Sequence, residues 1–234
     1  MDKKRLDHLR NFYNLIDTLG KAVGGPRSLA DCTGKLNWPK RGVYFFTEAG
    51  ENRVHTGVGP RIVRVGTHAL KRDASTRLWV RLSQHRGQVR SGGGNHRGSI
   101  FRLIVGTALI AKHHLDVPTW DDRKSSAPAD VRAAELALER EVSKTIGAMP
   151  FLWVGIDDEP GDQSARGYIE RNAIALLSNF GREALDPPSS AWLGNYCNRE
   201  RIRASGLWNA NHVDETYDPK FLNELQVRIE AMSR

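Results

Sequence analysis

The sequence predicts an α+β fold: a small, mainly antiparallel central sheet flanked by helices. Three observations carry this expectation. Apolar residues recur at helical spacing in several separate stretches, short β-rich runs lie between them, and two of those runs adjoin across a polar, glycine-containing turn. The resulting order is β, β, α, β, α, β, α, preceded and followed by a helix.

Each element has its own signal. Residues 3–22 form an amphipathic helix, with Leu6, Leu9, Phe12, Tyr13, Ile16 and Leu19 on one face and Gly24-Gly25-Pro26 ending it. Residues 28–40 form a short helix or loop closed by Trp38-Pro39. Residues 42–48 are a β-rich run, Glu48 to Pro60 turn the chain, and 61–66 form a second run, giving a hairpin with a long loop. Residues 76–86 suit a helix capped by Thr76, with Leu78, Trp79 and Leu82 on its apolar side. Ser91-Gly92-Gly93-Gly94-Asn95 is a loop, and Ser99 to Val105 is expected to be a third strand. After the break at Ser125-Ser126-Ala127-Pro128, Arg132 to Ile146 is a helix. Phe151 to Ile156 is an apolar fourth strand. Ala165 to Phe180 is a helix ended by Gly181, Asp186-Pro187-Pro188-Ser189 is a rigid turn, and 220–232 is a last amphipathic helix. No internal repeat or low-complexity tract is present.

Composition narrows the function. The net charge of +8 hides an asymmetry: residues 1–115 hold 21 Lys/Arg against 7 Asp/Glu, and residues 116–234 hold 14 against 20. The densest stretch, 61–102, has ten Lys/Arg and one acid, Asp73. Its cations are mostly arginine, whose planar fork suits phosphate. Such a field attracts a polyanion, and nucleic acid is the expected partner. The competing explanation is a solvated basic face. No apolar run approaches the ~20 residues that cross a bilayer. The charged start, with Asp7 and His8 where an apolar stretch would follow, does not read as a secretory signal. Cys32 and Cys197 alone give neither a disulfide framework nor a zinc site, so a cytoplasmic location is expected.

Several residues then attract attention. Tyr44 lies between Val43 and Phe45; if those two face a core, alternation puts Tyr44 on the opposite face of the strand. Arg81 and His85 are spaced to share one face of a helix. Glu170 sits on a helix whose other side is Ile169, Ala173, Leu176 and Leu177. Taken singly, each has an ordinary explanation: a strand tyrosine, a basic surface, an exposed carboxylate pairing with Arg166 or Arg171. The loop Gly92-Gly93-Gly94-Asn95 lacks the Gly-Lys-Ser/Thr of a nucleotide-binding loop. Flanked by Arg90 and Arg97, it is a candidate clamp on backbone phosphates or a plain linker. His113-His114 would point apart on a strand and so would not converge on a metal. The tryptophans Trp79, Trp120, Trp153, Trp192 and Trp208 read as core packing, and Ser205 to Asn209 as a segment packing back onto the sheet.

Joined, these pieces resemble the GIY-YIG nuclease superfamily. Gly42-Val43-Tyr44 matches the first tripeptide, and Arg64-Val65-Gly66 stands where the second belongs and keeps its glycine. Leu78 to His85 matches the following helix, with Arg81 and His85 at the arginine and histidine positions of restriction-type members. Glu170 resembles the helical glutamate that holds a metal ion. The resemblance covers about 42–107 and, more loosely, 163–195. It implies one domain, 1–234, with a core at about 40–107 and 160–200, an insertion at about 107–160, an N-terminal helix at 3–22 and a C-terminal extension at 200–234. Two departures stand out. Arg64 replaces the second tyrosine, and becomes a candidate for binding the scissile phosphate. The family's asparagine follows its glutamate; Asn172, Asn179 and Asn195 compete for that place. Asn195 is preferred because the family residue follows the helix.

The resemblance implies metal-dependent phosphodiester hydrolysis, in DNA, of bacterial restriction or defence type. Tyr44 would be the general base toward water, relayed by His85; a phenol needs surrounding positive charge for this. Arg81 would bridge phosphate oxygens, and Glu170 would hold Mg²⁺ or Mn²⁺, with water completing the shell. Gly66 would let the backbone approach the substrate. Arg61, Arg64, Arg86, Arg90, Arg97 and Asn195 would join Gly66 in binding nucleic acid, expected to be double-stranded DNA, and a homodimer would suit cutting both strands. The alternative is a nuclease-like module that binds nucleic acid without cutting it, which the Arg64 replacement favours.

Overall fold

A computed structural model describes residues 2–122, 124 and 126–232; Ser125 of the sequence-predicted break lies outside them. The chain runs α1 (Lys3–Ala22), β1 (Arg27–Ser28), β2 (Gly42–Asn52), β3 (Pro60–Gly66), α2 (Leu78–Arg86), α3 (Ile100–His113), α4 (Ala129–Ala148), β4 (Pro150–Gly155), α5 (Ala165–Leu177), α6 (Glu200–Ser205) and α7 (Phe221–Met232). Short 3-10 turns occupy Leu29–Asp31, His96–Gly98 and Leu193–Tyr196. The four strands form one sheet in the order β1-β4-β2-β3, with every neighbouring pair antiparallel. The expected α+β fold with its small central sheet is therefore the one observed.

Helices cover both faces of the sheet. One face presents Val43, Phe45, Ile62, Val65, Leu152 and Val154 to a core that includes residues of α1, α5 and α7. The other presents Tyr44, Phe46, Val63, Phe151 and Trp153 to a core that includes α2, α3 and α4. Period-two alternation thus splits β2 as expected, but both faces are buried. A three-layer arrangement explains why β2 reads as a continuous apolar run.

The segment Ser99 to Val105 is not a strand. It opens α3, with the Ser99 hydroxyl accepting the Arg102 backbone N–H as an N-cap. An apolar run of that length fits a buried helix as well as a strand, and here the helix packs on the sheet against Phe46. His113 consequently ends a helix, and His114 follows it in the left-handed region. The stretch 107–160 contributes α4 and β4, and β4 lies between β1 and β2 in the sheet. Of the five tryptophans read as core, Trp120, Trp153, Trp192 and Trp208 are buried; Trp79 is half-buried and stacks on Trp38. Among the described residues, no helix is long and apolar enough to cross a membrane.

Candidate active site

The two tripeptides meet through strand register. Tyr44 on β2 pairs directly with Gly66 on β3. Directly opposed residues share a sheet face, and the missing side chain of Gly66 receives the Tyr44 ring: a Cβ added to Gly66 would lie 2.5 Å from Tyr44 Cε2, Cζ and Oη. The space beside Gly66 is thus filled by the tyrosine ring. Gly42 is equally constrained, since a Cβ there would run into the Val154 carbonyl of β4. A register shift between Phe46 and Thr47 leaves Val63 as an extra residue between the partners Arg64 and Ile62. The bulge lets Val63 join the core on the α3 side, while Arg64 lies over Phe101 of α3, 4.4 Å from the ring centre.

Helix α2 brings His85 behind the tyrosine. His85 Nε2 lies 2.8 Å from Tyr44 Oη, and His85 Nδ1 lies 2.8 Å from Ser99 Oγ. The histidine is wholly buried. Burial pushes it well below its ordinary value, and Arg81, Arg64 and Arg102 push the same way, so it is neutral at physiological pH. Arg81, one turn earlier, is half-buried; its Nη1 donates to Gln84 Oε1 and to the Gly98 carbonyl.

Helix α5 supplies the carboxylate. Glu170 Oε1 accepts the Thr67 backbone N–H at 3.0 Å, just past the end of β3. Thr67 in turn donates its hydroxyl to the Gly42 carbonyl. Arg166, an N-terminal turn away on α5, pairs with Asp158 and donates to the His68 and Ala69 carbonyls, which clamps the segment after β3 onto the helix. Burial raises the Glu170 carboxyl above the usual range, opposed by the Thr67 N–H and then by Arg64, His212 and Arg81.

The fourth wall comes from the C-terminal extension. Trp208 N–H donates to the Val63 carbonyl, and the Asn209 side chain bonds both the N–H and the carbonyl of Val65, so this segment continues the β3 edge. The indole N–H groups of Trp192 and Trp208 both donate to Glu48 on β2. Arg64 Nη1 donates to the Trp208 carbonyl. Burial lowers the Arg64 guanidinium from its ordinary value, with Tyr44 and Glu170 among the groups acting upon it, though arginine keeps its charge in proteins.

These walls enclose a cleft of about 420 Å³ that takes in Tyr44, Arg64, Thr67, Arg81, Glu170 and His212. The cleft holds three guanidinium groups, of Arg64, Arg81 and Arg199, with a phenol backed by a neutral imidazole and one carboxylate, and guanidinium forks suit phosphate oxygens. A divalent cation fits the donor set. Glu170 Oε2 has no hydrogen-bond partner among the described residues, and a desolvated carboxylate gains from a cation beside it. No cluster of three or more His, Cys, Asp or Glu side chains suited to a metal occurs among the described residues. Water would therefore supply most of the coordination, as Mg²⁺ tolerates. A larger apolar pocket, about 500 Å³ between α1 and the sheet, contains none of these groups.

Other sequence candidates lie elsewhere. Arg61 is buried, paired with Glu51 at 2.6 Å and bonded to the Gly206 carbonyl. Arg97 pairs with Glu135 at 2.6 Å. Arg86 donates to the Cys32 carbonyl and lies over Trp79. Arg90 is exposed on the loop after α2. Asn195 does not line the cleft; it caps a turn through the Ser189 and Ser190 carbonyls. Asn172 bonds the Tyr168 carbonyl and the Asp218 N–H, and Asn179 bonds the Asp186 carbonyl, the Leu185 N–H and the Arg5 guanidinium. The asparagines at the cleft are Asn209 and Asn211. Sequence reasoning missed them, with Ser99, Thr67 and His212. Only Ser99, as a cap before an apolar run, carried a local signal.

The sheet thus sets a tyrosine, arginines and a helical glutamate around one cleft, with a histidine buried behind the tyrosine. The family model of the GIY-YIG domain matches residues 3–234, and the chain belongs to the GIY-YIG nuclease superfamily. No curated protein and no solved structure matches it.

Proposed function

We propose that this chain is a divalent-metal-dependent endonuclease hydrolysing phosphodiester bonds in double-stranded DNA. The observation that carries the reading is Tyr44, lining the same cleft as Arg64, Arg81 and Glu170 and hydrogen-bonded from behind to the buried His85. Binding alone requires neither a carboxylate among the phosphate-binding arginines nor a neutral histidine buried behind a phenol.

Tyr44 Oη takes a proton from the attacking water and passes its own to His85 Nε2. This direction needs His85 to carry its resident hydrogen on Nδ1, donated to Ser99 Oγ. Arg81 and Arg64 bind non-bridging phosphate oxygens and oppose the charge that builds on them; such fixed donors act strongly in a desolvated site. Glu170, oriented by the Thr67 N–H, holds the cation, expected to be Mg²⁺ or Mn²⁺. When bound, that ion supplies Lewis-acid stabilisation of the leaving oxygen. A bacterial restriction or defence role, a cytoplasmic setting and a homodimer belong to the same proposal.

The second reading, a module that binds without cutting, draws on Arg64, whose guanidinium is tied to the Trp208 carbonyl where the family has a hydroxyl. Plasmid nicking with Mg²⁺ separates the two. The unaltered chain is expected to convert supercoiled DNA, and Glu170→Ala to lose at least about 100-fold in rate while still binding. Equal behaviour of the two chains would eliminate the hydrolase.

A further inference from the structure

The C-terminal extension brings one titratable group to the cleft that neither tripeptide nor helix motif contains: His212. Its backbone lies in the left-handed region, at φ 64, which a non-glycine residue occupies only where surrounding structure holds it. The hold is visible. His212 Nδ1 lies 2.7 Å from Glu215 Oε1, and Glu215 Oε2 is bonded by Arg171, the neighbour of Glu170 on α5. A carboxylate only accepts hydrogen bonds, so the imidazole carries a hydrogen on Nδ1. Nε2 has no partner among the described residues. His212 is thus tied to the helix that carries Glu170, in the same cleft, with its far nitrogen free.

We infer that His212 Nε2 is a second protein ligand for the cation held by Glu170. A carboxylate that fixes the tautomer from behind is the usual support of a metal-binding histidine, with Glu215 in that place. The consequence is selectivity. A lone carboxylate with waters suits Mg²⁺, whereas an added imidazole shifts preference toward Mn²⁺ and the later divalent ions. The inference rests on the reading of Glu170 as a metal-holding residue.

The test uses the full chain, Mn²⁺ as the probe and electron spin resonance as the readout. Bound Mn²⁺ is expected to show coupling to a ¹⁴N nucleus in the unaltered chain, replaced by ¹⁵N coupling on labelling with ¹⁵N-histidine. His212→Asn, which tolerates the left-handed backbone, is expected to abolish that coupling and to weaken Mn²⁺ binding by roughly 10-fold or more, with a smaller effect on Mg²⁺. Mn²⁺ bound without nitrogen coupling, and lost on Glu170→Gln, would overturn the His212 assignment and leave the carboxylate reading intact. Mn²⁺ bound equally well by Glu170→Gln would overturn both.

Discussion

At the scale of single residues, the site depends on one absent side chain. Gly66 has no side chain where Tyr44 needs room, because the two are register partners on the same sheet face. Gly66→Ala is expected to push the tyrosine off His85. Overpacking of this kind costs roughly 1–3 kcal/mol of stability, but a displaced base can cost on the order of 100-fold in rate. Nicking rates should therefore fall much further than the urea midpoint suggests, and an alanine variant of full activity would contradict the geometry. The histidines set the acid limit of the fold. Burial and the Arg166 charge push His68 down to about 4, and burial beside arginines pushes His85 down as well. In the unfolded chain both titrate near ~6.5, so below that pH the unfolded state binds more protons. Stability is then fully present above about 6.5 and is lost as pH falls toward 4. Urea midpoints measured between pH 7.5 and 4.5 should decline through that window; a flat profile would mean that the histidines are solvated.

At the scale of elements, α3 shows how local pattern and tertiary context diverge. Ser99-Ile100-Phe101-Arg102-Leu103-Ile104-Val105 is apolar enough for a strand, and alternation alone does not separate that from a buried helix. The Ser99 cap and the pairing of Arg102 with α4 decide for the helix. Glu139 of α4 accepts from the His96 backbone and ring and from the Arg102 guanidinium, and Arg102 also donates to the His85 carbonyl. Burial raises the Glu139 carboxyl, but the His96 and Arg102 interactions outweigh it and hold it below the usual range. Removing one partner of a buried pair leaves the other charge uncompensated, at about 3–5 kcal/mol. Glu139→Ala should lower the urea midpoint accordingly and loosen His85. A loss below about 1 kcal/mol, the scale of an exposed pair, would show that the network is solvated.

At the scale of the whole molecule, charge in the sequence and charge at the surface differ. Of the basic stretch 61–102, Arg61, Arg97 and Arg102 are matched internally by Glu51, Glu135 and Glu139, while Arg64 and Arg81 line the cleft. Each cation that meets a phosphate contributes about 0.9 to the salt dependence of DNA binding. Arg81→Ala should reduce the slope of log K against log salt by about one. Arg61→Ala and Arg97→Ala should lower stability and leave that slope unchanged; a slope altered by either would return those residues to the DNA surface. By itself the sequence determined the α+β class, the Gly42-Val43-Tyr44 and Arg64-Val65-Gly66 strands, the helix carrying Arg81 and His85, and Glu170 as a carboxylate of interest. Those are periodicities and motifs, and they are written in neighbouring residues. Only the tertiary structure decided that Tyr44 sits over Gly66, that Arg61 and Arg97 face acids from distant segments, that α3 is a helix, and that Asn209, Asn211 and His212 close the cleft in place of Asn195. Each of these follows from long-range pairing, in which a partner far along the chain sets whether a side chain is buried, neutralised or left free. Local spacing carries no record of that choice.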